Sequence, residues 1–176
     1  MLKSVPSGSQ HRISRVVRAF VTPRFDIRFA ARLGVVVVAT VLVCTFWLRP
    51  AMLDGISMQP TYSGHGFTFC DRFAFRHRLP RRGEVVVLRW GGSRWMLIKR
   101  VVALAGETVE FRDGRCLVDG IPLDEPYVRF PCDWNAPPKL VPPGHLYVVG
   151  DNRSMPQETH VSGIIDAGRL FGKPLW

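Results

Sequence analysis

Acidic residues are scarce in this 176-residue chain: 14 Asp and Glu stand against 24 Lys and Arg, for a formal net charge of +10. The excess sits mostly at one end. Residues 1–32 hold seven basic side chains and a single acid, Asp26, whereas the rest of the chain carries 17 basic and 13 acidic groups. Such a balance raises nucleic-acid binding, where Arg and Lys neutralise phosphates. No DNA- or RNA-binding motif accompanies the charge, however, and an uncharged run follows it directly, so no nucleic-acid partner is expected. The four cysteines include no CxxC pair, which argues against a zinc site, and neither metal nor cofactor is expected. Internal repeats are absent, and no useful helical periodicity appears after residue 50. Lysine is also rare: beyond the uncharged run only Lys99, Lys139 and Lys173 occur.

What is present begins with that run. Between Arg32 and Arg49 lie 16 residues without a formal charge, somewhat fewer than the roughly 20 that cross a bilayer core. The flanking arginines can snorkel and Trp47 suits an interface. Residues 33–50 therefore read as a transmembrane anchor, residues 1–32 as a basic cytoplasmic segment by the positive-inside rule, and residues 51–176 as an extracytoplasmic domain. A cleaved signal peptide shares the basic-then-apolar layout, but the following WLRPAMLDG offers no small-x-small cleavage site. The expected location is the cytoplasmic (inner) membrane, crossed once, with the lipid bilayer as a partner. Cys44 lies in the span, which leaves Cys70, Cys116 and Cys132 to supply one disulfide in an oxidising compartment.

Beyond the anchor the pattern is β-like, and 47% hydrophobic content suffices for a core. GEVVVLRW (residues 83–90) and RWMLIKRVVAL (residues 94–104) flank Gly91-Gly92-Ser93, a hairpin turn signal. Asp-Gly at 113–114 and again at 119–120 predicts a tight meander, and HLYVVGDN (residues 145–152) a further strand. The proline-rich segment 126–143, with Trp134 inside it, reads as an irregular loop or extended crossover.

Lys99 interrupts a run suited to a buried strand, sharing a face with Leu97, Val101 and Ala103 by strand alternation. Burial favours the neutral amine, which is a general base near neutral pH. The alternative is that Arg100 is the buried member of the pair and Lys99 points to water. A desolvated lysine can take the proton of a serine hydroxyl, and GISMQPT (residues 55–61) supplies Ser57. Gly55 permits close backbone approach before it and Pro60 stiffens the chain after it. The Ser57 N–H is then available to a developing oxyanion. Ser57 follows Leu48 by nine positions, about 30 Å at full extension, which keeps this serine near the bilayer surface. Phe67, Phe69, Phe73 and Phe75 alternate beside Arg72, Arg76 and Arg78, either dipping into that surface or facing the core. His65, His77, His145 and His160 offer a competing base, but no nucleophile elbow accompanies the serine.

GISMQPT, PRRGEVVVL, IKRVVALAGETVEFRDG and GDNR, in that order from about Asp54 onward, resemble the type I signal peptidases, serine proteases that release exported proteins from the membrane. The resemblance implies a mainly β fold, in which a single N-terminal transmembrane helix precedes an antiparallel, barrel-like catalytic domain. It also implies Ser57 as nucleophile, Lys99 as general base, Gly55 and Met58 as supports of the oxyanion and substrate, and Arg100, Gly150, Asp151, Asn152 and Arg153 as residues that shape the site. The substrates implied are signal-peptide-bearing preproteins, cut after small residues. After GDNR the chain departs from the family: Pro156 stands where a lysine-orienting serine is expected, Glu158 and Thr159 replace Asp-Ser, and His160 replaces Arg. Either Ser154 or Thr159 supplies the orienting hydroxyl, or Lys99 is held less firmly. A pilin-maturing peptidase of conjugative transfer is the related alternative, and a catalytically silent, membrane-tethered binding module is the alternative of another class.

Overall fold

The structure, a computed structural model, describes residues 26–90 and 95–175. The basic segment up to residue 25 and the Gly91-Gly92-Ser93 turn lie outside the described residues. The chain divides after Val43 into two units.

In the first unit Asp26 caps helix α1 (Ile27–Leu42), its carboxylate accepting a hydrogen bond from the Phe29 N–H at 2.8 Å. The helix passes into a π-helical turn, Val43–Trp47. Together, Ile27–Trp47 is a 21-residue helical segment containing an 18-residue window of mean hydropathy 2.2. At 1.5 Å per residue that is about 32 Å, enough for a bilayer core. Helical structure thus starts well before residue 33, and the last residues of the 33–50 run already belong to a strand.

The second unit is antiparallel β throughout. Its strands are β1 (Leu48–Asp54), β2 (His65–Asp71), β3 (Val85–Trp90), β4 (Trp95–Ala103), β5 (Thr108–Arg112), β6 (Arg115–Val118), β7 (Ile121–Pro122), β8 (Ala136–Leu140), β9 (His145–Val149), β10 (Gly163–Asp166) and β11 (Leu170–Pro174). They form a seven-stranded sheet in the order β1-β2-β11-β3-β4-β9-β10 and a four-stranded sheet in the order β7-β6-β5-β8. Both Asp-Gly pairs form two-residue hairpin turns, with positive φ at Asp113, Gly114, Asp119 and Gly120, the geometry whose twist matches the flanking strands. The proline-rich segment is not wholly irregular. Pro137 and Pro138 lie in β8, which pairs only with β5, and an edge strand tolerates residues that cannot donate to a ladder.

Alternation along β9 divides its side chains between two cores. Leu146 and Val148 pack with Val86, Leu88, Val101 and Ile165. Tyr147 and Val149 pack with Val102, Val109, Phe111, Cys116 and Trp134. Strand β4 does the same, with a register irregularity between Val101 and Ala103, so Lys99 and Arg100 depart from opposite faces of one strand.

Strand β11 completes the sheet by lying between β2 and β3. At Gly172 a Cβ would come 2.2 Å from the Asp71 carbonyl oxygen and 2.6 Å from Cys70 Sγ, so only glycine admits this approach. Gly172→Ala is expected to cost about 1–3 kcal/mol through overpacking. Thermal unfolding of the detergent-solubilised chain, followed by circular dichroism, should register a lower midpoint; an unchanged one contradicts this account.

Candidate active site

Ser57 sits in the loop between β1 and β2, and the sheet fixes that loop from both ends. The Gly55 N–H donates to the Gly64 carbonyl at 2.9 Å, and Gly55 has φ +123°, a conformation that disfavours a side chain. The turn beyond β9 holds the middle: the Asn152 N–H donates to the Ser57 carbonyl at 3.0 Å, and the Asn152 side-chain amide to the Ile56 carbonyl at 3.1 Å. Met58 is buried. The Ser57 and Met58 N–H groups donate to no protein group among the described residues, which leaves both free for an incoming oxygen.

Lys99, on β4, is 2% exposed, and its Nζ lies 2.7 Å from Ser57 Oγ. Sequence pattern left open whether Lys99 or Arg100 is the buried residue, and the structure buries both. Opposite faces of β4 give them opposite surroundings. Arg100 donates from Nε and NH2 to Asp151 at 2.8 and 2.5 Å, and from NH1 to the Gly83 carbonyl at 2.7 Å. A bidentate pair of this kind satisfies both buried charges. Among the described residues Lys99 meets no carboxylate in hydrogen-bond range. Burial pulls its ammonium from 10.5 down to about 8, opposed by the attraction of Asp151.

Asp151 also accepts a 2.5 Å hydrogen bond from Thr61 Oγ1, so one carboxylate ties the Ser57 loop to β4. Arg153, 1% exposed, donates to the Gly150 carbonyl at 2.8 Å and pairs with Glu125 at 2.5 Å. The Glu125 carboxylate accepts a further bond from the Tyr127 hydroxyl at 2.9 Å, and the Tyr127 ring lies 3.8 Å beneath the Arg100 guanidinium. Glu125 and Tyr127 thereby link the two buried arginines. Neither was singled out from sequence, because both sit in the proline-flanked stretch before β8. At Gly150 a Cβ would come 2.2 Å from the Ser57 carbonyl and 2.6 Å from His160 Nε2, so the turn beyond β9 packs directly on the Ser57 loop.

The family of signal peptidases, peptidase S26, matches residues 27–176, and signal peptidase I of Leptolyngbya laminosa is 30% identical over 149 residues, 80% of this chain and 73% of that protein. The chain belongs to the signal peptidase family. A probable signal peptidase I-1 of Synechocystis is similar at 30% identity over 152 residues, covering 82% of this chain and 78% of its own. The crystal structure of a signal peptidase I from Enterococcus faecalis is 24% identical, with a TM-score of 0.44, covering 55% of this chain and 97% of that one.

Within this signal peptidase family member, neither hydroxyl of the altered stretch after GDNR takes the orienting role expected of it from sequence. Ser154 Oγ donates to Asn152 Oδ1 at 2.7 Å, and Thr159 Oγ1 to the Pro156 carbonyl at 3.0 Å, so neither hydroxyl is directed at Lys99. Ser162 instead lines the same cavity as Lys99, a space of about 320 Å³ bounded also by Leu88, Leu97, Val161 and Ile164. His160 is a structural residue. Its ring is 4% exposed and stands edge-on to Trp134 with centroids 4.8 Å apart. Burial and the nearby cations Lys99 and Arg153 push it down to about 3; a Val161 backbone contact that falls short of hydrogen-bond geometry pulls the other way. Among the described residues no other histidine bonds Ser57: His65 lies at the surface 3.4 Å from Asp54, and His145 bonds the Pro143 carbonyl at 3.0 Å. The phenylalanines divide as well, Phe67 and Phe69 stacking edge-on on the open face of β2 while Phe75 packs on the core. Cys70, Cys116 and Cys132 are present as free thiols.

Because the folded Lys99 titrates below its ordinary 10.5, the cost of burying the charged amine is fully present below about pH 8 and fades as the pH rises toward 10.5. Lys99→Met is expected to be more stable than wild type at pH 7, by roughly 3 kcal/mol at most. Urea unfolding of both chains should show that gap narrowing above pH 8; a gap independent of pH rejects the assigned burial.

Proposed function

We propose that Ser57 and Lys99 are the nucleophile and general base with which this membrane-anchored signal peptidase hydrolyses signal peptides from exported preproteins. The observation that carries the reading is a buried amine, free of any carboxylate partner, 2.7 Å from a serine hydroxyl. Near neutral pH roughly a tenth of such an amine is unprotonated, enough to serve as a base. Neutral Nζ accepts the Ser57 proton as Oγ bonds to the scissile carbonyl carbon. The carbonyl oxygen takes up negative charge beside the free Ser57 and Met58 N–H groups. As the tetrahedral adduct collapses, the C–N bond breaks and the Lys99 ammonium returns its proton to the departing amine. A water molecule, deprotonated by the same Nζ, then hydrolyses the acyl ester to a carboxylate and restores Ser57.

The Arg100–Asp151–Thr61 and Arg153–Glu125–Tyr127 groups act in this scheme as supports that hold loop and strand in register. The pocket beside Ser57, bounded by Met52, Met58, Tyr62, Met96 and Ile98, has a volume of only about 40 Å³, which supports a preference for small side chains ahead of the cleaved bond. We assign the apolar helix to the cytoplasmic membrane and the β unit, residues 51–176, to its outer side, with the bilayer as a second partner.

A catalytically silent binding module remains the second reading, because neither Ser154 nor Thr159 orients the amine. One assay separates the two. In proteoliposomes given a signal-peptide-bearing substrate, Ser57→Ala and Lys99→Ala are each expected to lower cleavage by about a thousandfold or more. Wild-type activity should rise with pH about a midpoint near 8, as Lys99 loses its proton. Equal cleavage by wild type and both variants removes the dyad; absence of cleavage in all three favours the silent module.

A further inference from the structure

Five arginines of the β unit are matched to acids: Arg78 with Glu84, Arg82 with Glu107, Arg100 with Asp151, Arg112 with Glu110 and Arg153 with Glu125; Arg81, Arg115, Arg129 and Arg169 stand singly, without an ion pair among the described residues. Arg49, Arg72, Arg76 and Arg89 have no ion-pair partner among the described residues, and they are gathered rather than scattered. Arg49 is on β1, Arg72 and Arg76 follow β2, and Arg89 is on β3. The guanidinium carbons of Arg72 and Arg89 each lie 5.5 Å from the centre of the same ring, Phe171 on β11, and Arg76 lies 5.5 Å over Phe73.

Two open cavities meet on Arg89 and Phe171. One, of about 420 Å³, is completed by Arg49, Pro50 and Met96; the other, of about 340 Å³, has Arg72, Phe73, Arg76 and Leu79 in its wall. Neither is lined by an aspartate or glutamate. The acids closest in sequence are engaged: Asp71 accepts from Trp47 Nε1 and the Phe73 N–H, and Asp166 from the Gly168 N–H. Guanidinium groups of like charge held around one ring repel one another, and none of the four forms an ion pair with an acid among the described residues.

Apolar groups in the wall of the second cavity stand exposed, Phe73 at 43% and Leu79 at 58%. A partner that satisfies this surface carries negative charge and apolar matter together. Guanidinium groups match phosphate oxygens in bidentate geometry, and arginines beside exposed aromatic and aliphatic side chains suit the headgroup level of a membrane.

We propose that Arg49, Arg72, Arg76 and Arg89, arranged around Phe171, bind the phosphate headgroup of an anionic phospholipid. The inference rests on the membrane placement given above and not on the Ser57–Lys99 chemistry. Met96 lines both the headgroup cavity and the small pocket beside Ser57, so a lipid held here lies next to the cleavage site.

The test is a binding measurement that needs no turnover. The full chain, purified in neutral detergent, is titrated with dihexanoyl-phosphatidylglycerol, dihexanoyl-phosphatidylcholine, inorganic phosphate and a short acidic peptide, with bound species read by native mass spectrometry. Phosphatidylglycerol is expected to bind about tenfold or more tightly than phosphatidylcholine, since each arginine near an anionic headgroup adds on the order of 1 kcal/mol. The Arg72→Gln/Arg89→Gln double variant, checked for an unchanged circular dichroism spectrum and melting point, should lose that preference. Arg112→Gln, whose partner is Glu110 on the other sheet, should keep it. Equal binding of the two lipids, or a preference that survives in the double variant, overturns the proposal. Inorganic phosphate or the acidic peptide binding as tightly as phosphatidylglycerol overturns the lipid assignment in favour of a soluble anion or an exported acidic segment.

Discussion

The β unit is organised around one unfavourable act, the removal of a lysine amine from water without giving it a carboxylate. An ammonium in that position costs several kilocalories per mole unless it sheds its proton, so the protein holds a group whose easiest relief is to become a base. Everything that buries Lys99 contributes: Leu97 and Val101 beside it on one face of β4, the sheet neighbours Leu88 and Val148, and the Ser57 loop laid over its end. A single acid in hydrogen-bond range would reverse the effect by stabilising the charge. The neighbouring acid, Asp151, is withheld from the amine by being fully used on Arg100 and Thr61.

That division of labour explains why two buried ion pairs surround a site that uses neither charge directly. Buried pairs repay little in stability against hydrophobic replacements, but they have fixed geometry, and here each joins segments far apart in sequence. Arg100–Asp151 joins β4 to the turn after β9, and Arg153–Glu125 joins that turn to the stretch before β8. Tyr127, lying under one arginine and bonded to the partner of the other, makes the two pairs one object.

Much of this was legible in the residues. Strands β3 to β6 and β9 follow from apolar runs and Asp-Gly turns, which are local signals, and Lys99 betrayed itself as a charge inside such a run. The first and last strands were harder. β1 continues directly from an apolar helix with no break in composition, and β11 (LFGKP) is held between β2 and β3 by a glycine whose necessity depends on Cys70 and Asp71, a hundred residues away in sequence. β8 was hidden by Pro137 and Pro138, which forbid a central strand but not an edge. Glu125 and Tyr127 could not be singled out because their partners are set by tertiary contact. His160 is buried, its ring edge-on to Trp134, a residue of the segment that reads as a loop.

Gly150 draws these threads to one point. Its α-carbon leaves no space between the Ser57 carbonyl and the His160 ring, so two stretches separated by most of the unit meet there main chain to main chain. The last third of the chain therefore supplies the surface against which the Ser57 loop is set.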